Sequence, residues 1–266
     1  MSPVSKVNAG ADLKETVRRA VADLGGFSQF VRPGDSVLIK PNFNTADPPP
    51  ASTAPEFLAA VVDLVFESGA SRVFVGESSM LSAKKRSTEA TLAKAGVYEL
   101  EERSRPAEIH VFDDHEWVER EIPRGRFLQR VSMPKILDEV DRIILLPCCK
   151  THAIAGFTGA LKIAVGFMKP SERIRLHLGR VPEKVAELNS VYRPDLVIMD
   201  ARRCFIAGGP AHGEVRTPGL VLASRSRIDI DVEEVRIIQS YPGNALAGRD
   251  PEDLQQIKHA RDMGIS

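Results

Sequence analysis

Three lysines sit where this sequence could do chemistry. Lys40 closes the apolar run Val37-Leu38-Ile39, and Lys150 follows the apolar run from Arg142 to Pro147 and the pair Cys148-Cys149. A strand that ends at a lysine puts an ammonium group at the carboxyl edge of a parallel sheet, where ligands of α/β proteins bind. There it neutralises a carboxylate or phosphate, and the N–H groups of nearby turns add donors. Lys162 is different. It lies between Thr158-Gly159-Ala160 and Ile163-Ala164-Val165-Gly166. Apolar surroundings disfavour the charged amine, which suits a nucleophile, a base or an anchor for a ligand or cofactor. The structural alternative is a lysine that snorkels from a helix.

His152, His177 and His212 add imidazoles for proton transfer or metal binding. Their spacing is too wide for a local motif, so only the fold could unite them. His152 and His212 fall in Gly-rich stretches, while His177 ends the basic segment Arg173-Ile174-Arg175-Leu176-His177. Asp200 follows the apolar Leu196-Val197-Ile198-Met199. A carboxylate there binds a cation or orients an imidazole, or simply caps a turn. His152, His177, His212 and Asp200 are therefore the candidate ligands for a divalent metal, and His152, His212 and Lys162 the candidate catalytic groups.

Composition narrows the classes. Lys plus Arg and Asp plus Glu are both 36 in 266 residues, so formal net charge is zero. No general drive toward nucleic acid or an acidic membrane follows. The basic clusters Lys84-Lys85-Arg86 and Arg173, Arg175 and Arg180 lack interleaved aromatics. The first reads as a solvated loop or helix start; the second suits a small anion. Three cysteines, two of them adjacent, are no disulfide framework and no iron–sulfur motif. The glycine fingerprints of dinucleotide and P-loop sites are absent, and Ser78-Ser79 lacks the nucleophile-elbow pattern. With no transmembrane run and no secretory signal, a cytoplasmic protein is expected.

The positioning elements read as alternating strands and helices. Helices are expected at 11–24, at 54–66 with Thr53 as cap, at 88–95, 134–140 and 182–190, and at 251–261 with Asp250 as cap. Strands are expected at 37–39, 72–75, 109–112, 142–146, 196–199 and 220–223. Residues 118–131 suit an edge hairpin, 208–213 a loop, and 228–238 either element. The alternation implies a Rossmann-like α/β fold: one domain over 1–266, a mostly parallel sheet, helices on both faces and a sub-lobe within 77–140.

Taken together, Lys40-Pro41-Asn42, Lys150-Thr151-His152, Thr158-Gly159-Ala160-Leu161-Lys162, Gly166, Asp200 and Gly209-Pro210-Ala211-His212-Gly213 resemble the DUF362 family, from about residue 36 to residue 240. Members of that family often carry Asn after the second lysine; here it is Ile163. The ligand set is then Lys40, Asn42, Thr53, Lys150, Thr151, Thr158, Gly159 and Asp200. The stretch from His152 to Gly166 is also similar to the His-Gly-Gly-Lys-Gly segment of nickel-pincer-dependent racemases. That likeness implies that Lys162 tethers a nickel-pincer nucleotide, that His177 ligates nickel and that His152 lies beside it. Ala54 replaces the arginine of that family's Thr-Arg-Pro motif, and Gly76-Glu77-Ser78-Ser79 lacks its Gly-Thr-His. The expected function is an enzyme acting on a small anionic or carbonyl-bearing substrate by acid/base or metal-assisted chemistry, with isomerase and oxidoreductase reactions open. The alternative is a non-catalytic metal- or ligand-binding protein serving a redox or iron–sulfur system. A homo-oligomer or a redox-protein partner is compatible with either.

Overall fold

The computed structural model describes residues 2–79 and 87–265. The chain opens with β1 (Val4–Asn8), α1 (Leu13–Ala22), β2 (Ser36–Lys40), α2 (Pro55–Glu67), β3 (Arg72–Glu77), α3 (Thr88–Lys94) and β4 (Glu108–Val111). Next come β5 (Trp117–Glu121), β6 (Arg130–Pro134), β7 (Arg142–Leu145), β8 (Cys148–His152) and β9 (Gly156–Phe157). The helices α4 (Gly159–Lys162), α5 (Ile174–His177) and α6 (Val181–Leu188) lead to β10 (Leu196–Gly208), β11 (Gly213–Arg216) and β12 (Leu220–Ser224). The last helices are α7 (Arg227–Gln239) and α8 (Gln255–Asp262).

The main sheet runs β1-β12-β10-β7-β2-β3-β4. Strands β4, β3, β2, β7 and β10 are parallel, while β12 and then β1 pair antiparallel at the far edge. Successive strand residues point to opposite faces, and here they feed two apolar layers. Val37, Ile39, Ile144, Leu146 and Ile198 join α1 and α2 on one side. Leu38, Leu145, Val197, Met199 and Leu222 join α4, α6, α7 and α8 on the other. Both faces are thus covered, which is why these strands read as unbroken apolar runs. The fold is Rossmann-like α/β. The β5–β6 hairpin forms its own two-stranded sheet and packs Val131 and Met133 into the second layer.

Several local expectations need correction. β1 lies before the first expected helix; its five residues pair with β12 and give the sheet its antiparallel edge. Residues 134–140 form only a short 3-10 turn, Lys135–Asp138, because β6 runs through Pro134. The α2 cap is Ala54, without a side-chain bond; Thr53 Oγ1 instead accepts the Asn42 N–H at 2.8 Å. The chain does not leave the sheet at Lys150. It continues as β8, pairing parallel with a β10 that extends well past Asp200. The ambiguous 228–238 stretch is α7, whose cap Ser226 accepts the Asp229 N–H. The basic cluster at 84–86 lies outside the described residues.

Candidate functional site

Parallel strands β2 and β3 end side by side, so Lys40 and Glu77 meet at the carboxyl edge. Lys40 Nζ donates to Glu77 Oε1 at 2.5 Å and to the Pro41 carbonyl at 2.7 Å. Glu77 also accepts the N–H groups of Phe43 (2.7 Å) and Ser78 (2.9 Å). Both residues are 1% exposed, and such a pair persists only with its lone pairs and protons satisfied. Burial pushes the Lys40 amine down and Glu77 opposes that push. Gly166 covers the pair; a Cβ there would lie 2.8 Å from Lys40 Cε and Nζ. Its glycine is a matter of room, since no φ between +20° and +160° is involved.

Strand β8 supplies Lys150, Thr151 and His152. Lys150 is buried, and its Nζ donates to the carbonyls of Ala51 (2.5 Å) and Pro210 (3.3 Å). The Pro-rich loop after β2 and the turn after β10 are thereby tied to one amine. His152 Nδ1 faces the N–H groups of Ile154 (3.1 Å) and Ala155 (3.2 Å). A ring nitrogen that accepts cannot also carry a proton, so this imidazole is the neutral Nε2–H form. Burial, then the charges of Lys162, Lys150 and His177, push its pKa down to about 3. Arg173, just before α5, donates to the carbonyls of Ser79 (2.9 Å), Met168 (2.9 Å) and Gly166 (3.3 Å).

Lys162 ends α4 among these cations. Its amine has no hydrogen-bond or ion-pair partner among the described residues. Desolvation, then repulsion from Lys150 and Arg173, push it down to about 7. The arrangement is a basin of positive charge in which Lys40, Lys150 and Arg173 have committed donors and Lys162 does not. Backbone carbonyls hold Lys150 and Arg173 in place beside Lys162, while Lys40 is closed off beneath Gly166 in its pair with Glu77.

Helix α7 backs the basin. Asp231 accepts the N–H groups of Ala160 (2.5 Å) and Leu161 (3.0 Å), and Glu234 Oε1 accepts the Lys150 N–H at 2.8 Å. Gly159, at φ +58°, leaves room for them: a Cβ there would lie 2.3 Å from Asp231 Oδ1 and 2.4 Å from Glu234 Oε2. Thr151 and Thr158 are buried nearby, each with a hydroxyl that lacks a partner among the described residues.

The expected site residues divide accordingly. Lys150, Lys162 and His152 act on one another by charge, whereas Lys40 is linked to Lys162 through Arg173, which acts on both. Asn42 and Thr53 brace each other beneath the loop, with Thr53 N–H donating to Asn42 O at 3.0 Å. His177 is exposed on one-turn α5, and His212 is exposed in the β10–β11 turn. Asp200 does not orient an imidazole: both its oxygens accept from the Arg202 guanidinium, at 2.9 and 2.8 Å. It lines a separate cleft of about 300 Å³ with Pro49, Pro50, Cys148 and Arg202. Burial pushes the Cys148 thiol up to about 11, so it is no thiolate at neutral pH. Cys149 faces the apolar layer. Among the described residues, no three His, Cys, Asp or Glu side chains form a group that could hold a metal ion, so His152, His177, His212 and Asp200 are not gathered as a ligand set.

Glu77, Asp231 and Glu234 were missed as site residues. The signal for Glu77 was a lone acid ending an apolar strand beside the Lys40 strand. For the α7 acids it was carboxylates at i and i+3 set among Ile228, Ile230, Val232 and Val235, a pattern that leaves no polar face for them.

Comparisons with known proteins bear on the family. The chain is 29% identical over 244 residues to the thylakoid-associated protein sll1697 of Synechocystis sp., which covers 86% of this chain and 71% of that one. Among solved structures, the lactate racemase apoprotein from Thermoanaerobacterium thermosaccharolyticum matches with a TM-score of 0.45 at 12% identity. That match covers 89% of this chain and 63% of the racemase chain, so this chain spans less than two thirds of the racemase. Among the described residues, no helix is long and apolar enough to cross a membrane. The model of DUF362, a domain of unknown function, matches residues 37–235, which take in Lys40, Glu77, Lys150, Lys162 and both α7 acids, and the chain belongs to that family.

Proposed function

We propose that this protein is an enzyme that binds a small anionic, carbonyl-bearing substrate in the lysine basin and uses Lys162 as base or nucleophile. The observation that carries the reading is the Lys162 amine, without a partner among the described residues, beside cations whose own donors are committed. Lys150 and Arg173 supply the positive field for a substrate carboxylate, and preorganised charge of this kind acts most strongly where negative charge grows in a transition state. With its pKa near 7, about half of Lys162 is a free amine at neutral pH, the balance that acid/base catalysis needs. The free amine can take a proton from the carbon beside the carbonyl. It can instead add to the carbonyl and, with loss of water, form an imine.

A nickel-pincer nucleotide fits these residues poorly. The substrate-binding arginine that should accompany it is Ala54, which here caps α2 against buried surroundings. The expected nickel ligand His177 is exposed on a single helical turn.

The test is incubation with a panel of 2-oxo acids and borohydride, followed by intact-mass and peptide analysis. An adduct at Lys162 with a labelling midpoint near the amine's depressed pKa, absent from Lys162→Arg, supports the reading. Exchange of the substrate's α-proton without an adduct selects the base over the nucleophile. Labelling spread over surface lysines, with neither an adduct at Lys162 nor exchange, overturns it.

A further inference from the structure

Two acids buried in the core of α7 have no part in the chemistry just described, yet they touch both lysine-bearing segments. Asp231 and Glu234 are each fully buried, at 0% exposure. They lie three residues apart, on one face of the helix. Their oxygens Oδ1 and Oε2 converge on the space above the Gly159 Cα. Asp231 has both oxygens filled by backbone donors, whereas Glu234 Oε2 has no partner among the described residues. A bare carboxylate oxygen buried beside a second carboxylate is costly on two counts, desolvation and like-charge repulsion. One proton on Glu234, directed at Asp231, removes both.

We propose that Asp231 and Glu234 share a single proton, Asp231 as the ionised acceptor and Glu234 as the acid, and act as positioning residues for Lys150 and Lys162. The inference rests on the function proposed above for the lysines, but the shared proton stands apart from it. Asp231 fixes the first turn of α4, and thereby Lys162 at its end. Glu234 fixes the backbone of Lys150. The remaining negative charge faces Arg227 and Tyr192 on one side and Lys150 with the thiols of Cys148, Cys149 and Cys204 on the other. Of these, Arg227 and Lys150 are the cations that face it. Burial pushes both acids up, and the charge of Asp231 pushes Glu234 further, in keeping with a pair that titrates as a unit.

The experiment compares the parent with Glu234→Gln by infrared spectroscopy near neutral pH. The parent should show the carbonyl stretch of an un-ionised carboxylic acid, and Glu234→Gln should lack it. Absence of the band from the parent, or its survival unchanged in Glu234→Gln, overturns the proposal. A second readout is the pH profile of Lys162 labelling. Gln mimics the protonated acid, so Glu234→Gln should keep the parent's midpoint, while Asp231→Asn, which loses an acceptor, should lower labelling by about tenfold. Equal loss in both variants would mean that a second charge, not a proton, sits at Glu234. The infrared comparison needs only the parent and Glu234→Gln, so a poorly folding Asp231→Asn leaves it intact. An acid band in a parent whose Lys162 is inert would sink the proposed function and leave the pair standing.

Discussion

Lys40 and Glu77, 37 residues apart in sequence, form a 2.5 Å ion pair with side chains 1% and 2% exposed. Removing one member strands the other without water. Lys40→Met or Glu77→Leu alone should therefore cost about 3–5 kcal/mol, and the double variant should recover much of that loss. Chemical denaturation of the three variants measures it; additive losses in the double would show that the two do not act as a pair.

Gly166 should be nearly as sensitive as the pair it covers. Alanine there drives a methyl group into the Lys40 chain end, and an overpacked core costs about 1–3 kcal/mol. A Gly166→Ala melting curve superimposable on the parent's would show that Lys40 has room to yield.

Lys150 depresses Lys162 by charge. Lys150→Met should therefore raise the Lys162 midpoint, leaving less free amine and slower acylation at neutral pH. Competitive labelling across pH checks the direction, and a downward shift would contradict the electrostatic account.

The α7 acids predict a pH effect on stability. The folded pair holds a proton that ordinary unfolded carboxyls have released. That contribution is full below the unfolded carboxylate pKa and is lost as pH rises through the pair's raised pKa. Its slope is roughly 1.4 kcal/mol per pH unit at most. His152 and Lys162, both depressed, act with the opposite sign. The difference between Glu234→Gln and the parent isolates the pair: the variant should gain relative stability with rising pH and stop gaining above the pair's titration. A difference that is flat with pH would refute the bound proton.

His152 should remain neutral throughout the ordinary histidine range, since its pKa is near 3. Nitrogen NMR should report the Nε2–H tautomer with Nδ1 unprotonated, and no titration between about pH 5 and 8. A midpoint inside that window would mean that the two backbone donors do not hold the ring.

Much of this architecture was legible because the sheet is buried on both sides. Val37-Leu38-Ile39 and Leu196-Val197-Ile198-Met199 have no polar face to confuse the reading, and the lysines that end such runs must lie at the sheet's edge. β1 was less legible: Val4-Ser5-Lys6-Val7-Asn8 is short, half-exposed and defined mainly by its pairing with β12. The extension of β10 past Asp200 was hidden for a related reason, since Arg202 and Arg203 interrupt its apolar run. The basin was read in part. Its cations are visible as residue types, but whether an amine is paired depends on backbone carbonyls of distant loops. That is why Lys150, tied to Ala51, and Lys162, tied to nothing described, look alike in the sequence. The ion pair of Asp200 was hidden for the opposite reason, because its guanidinium partner, Arg202, is only two residues away.

The turn after β10 rests directly on the lysine strand: a Cβ at Gly209 would stand 1.9 Å from the carbonyl oxygen of Thr151. Nothing larger than hydrogen fits between the two segments. In a saturation-mutagenesis screen, position 209 should therefore tolerate as little as Lys150 itself, although it offers no side chain to any ligand. A scan of this protein that equated intolerance with chemistry would mistake a spacer for a reagent.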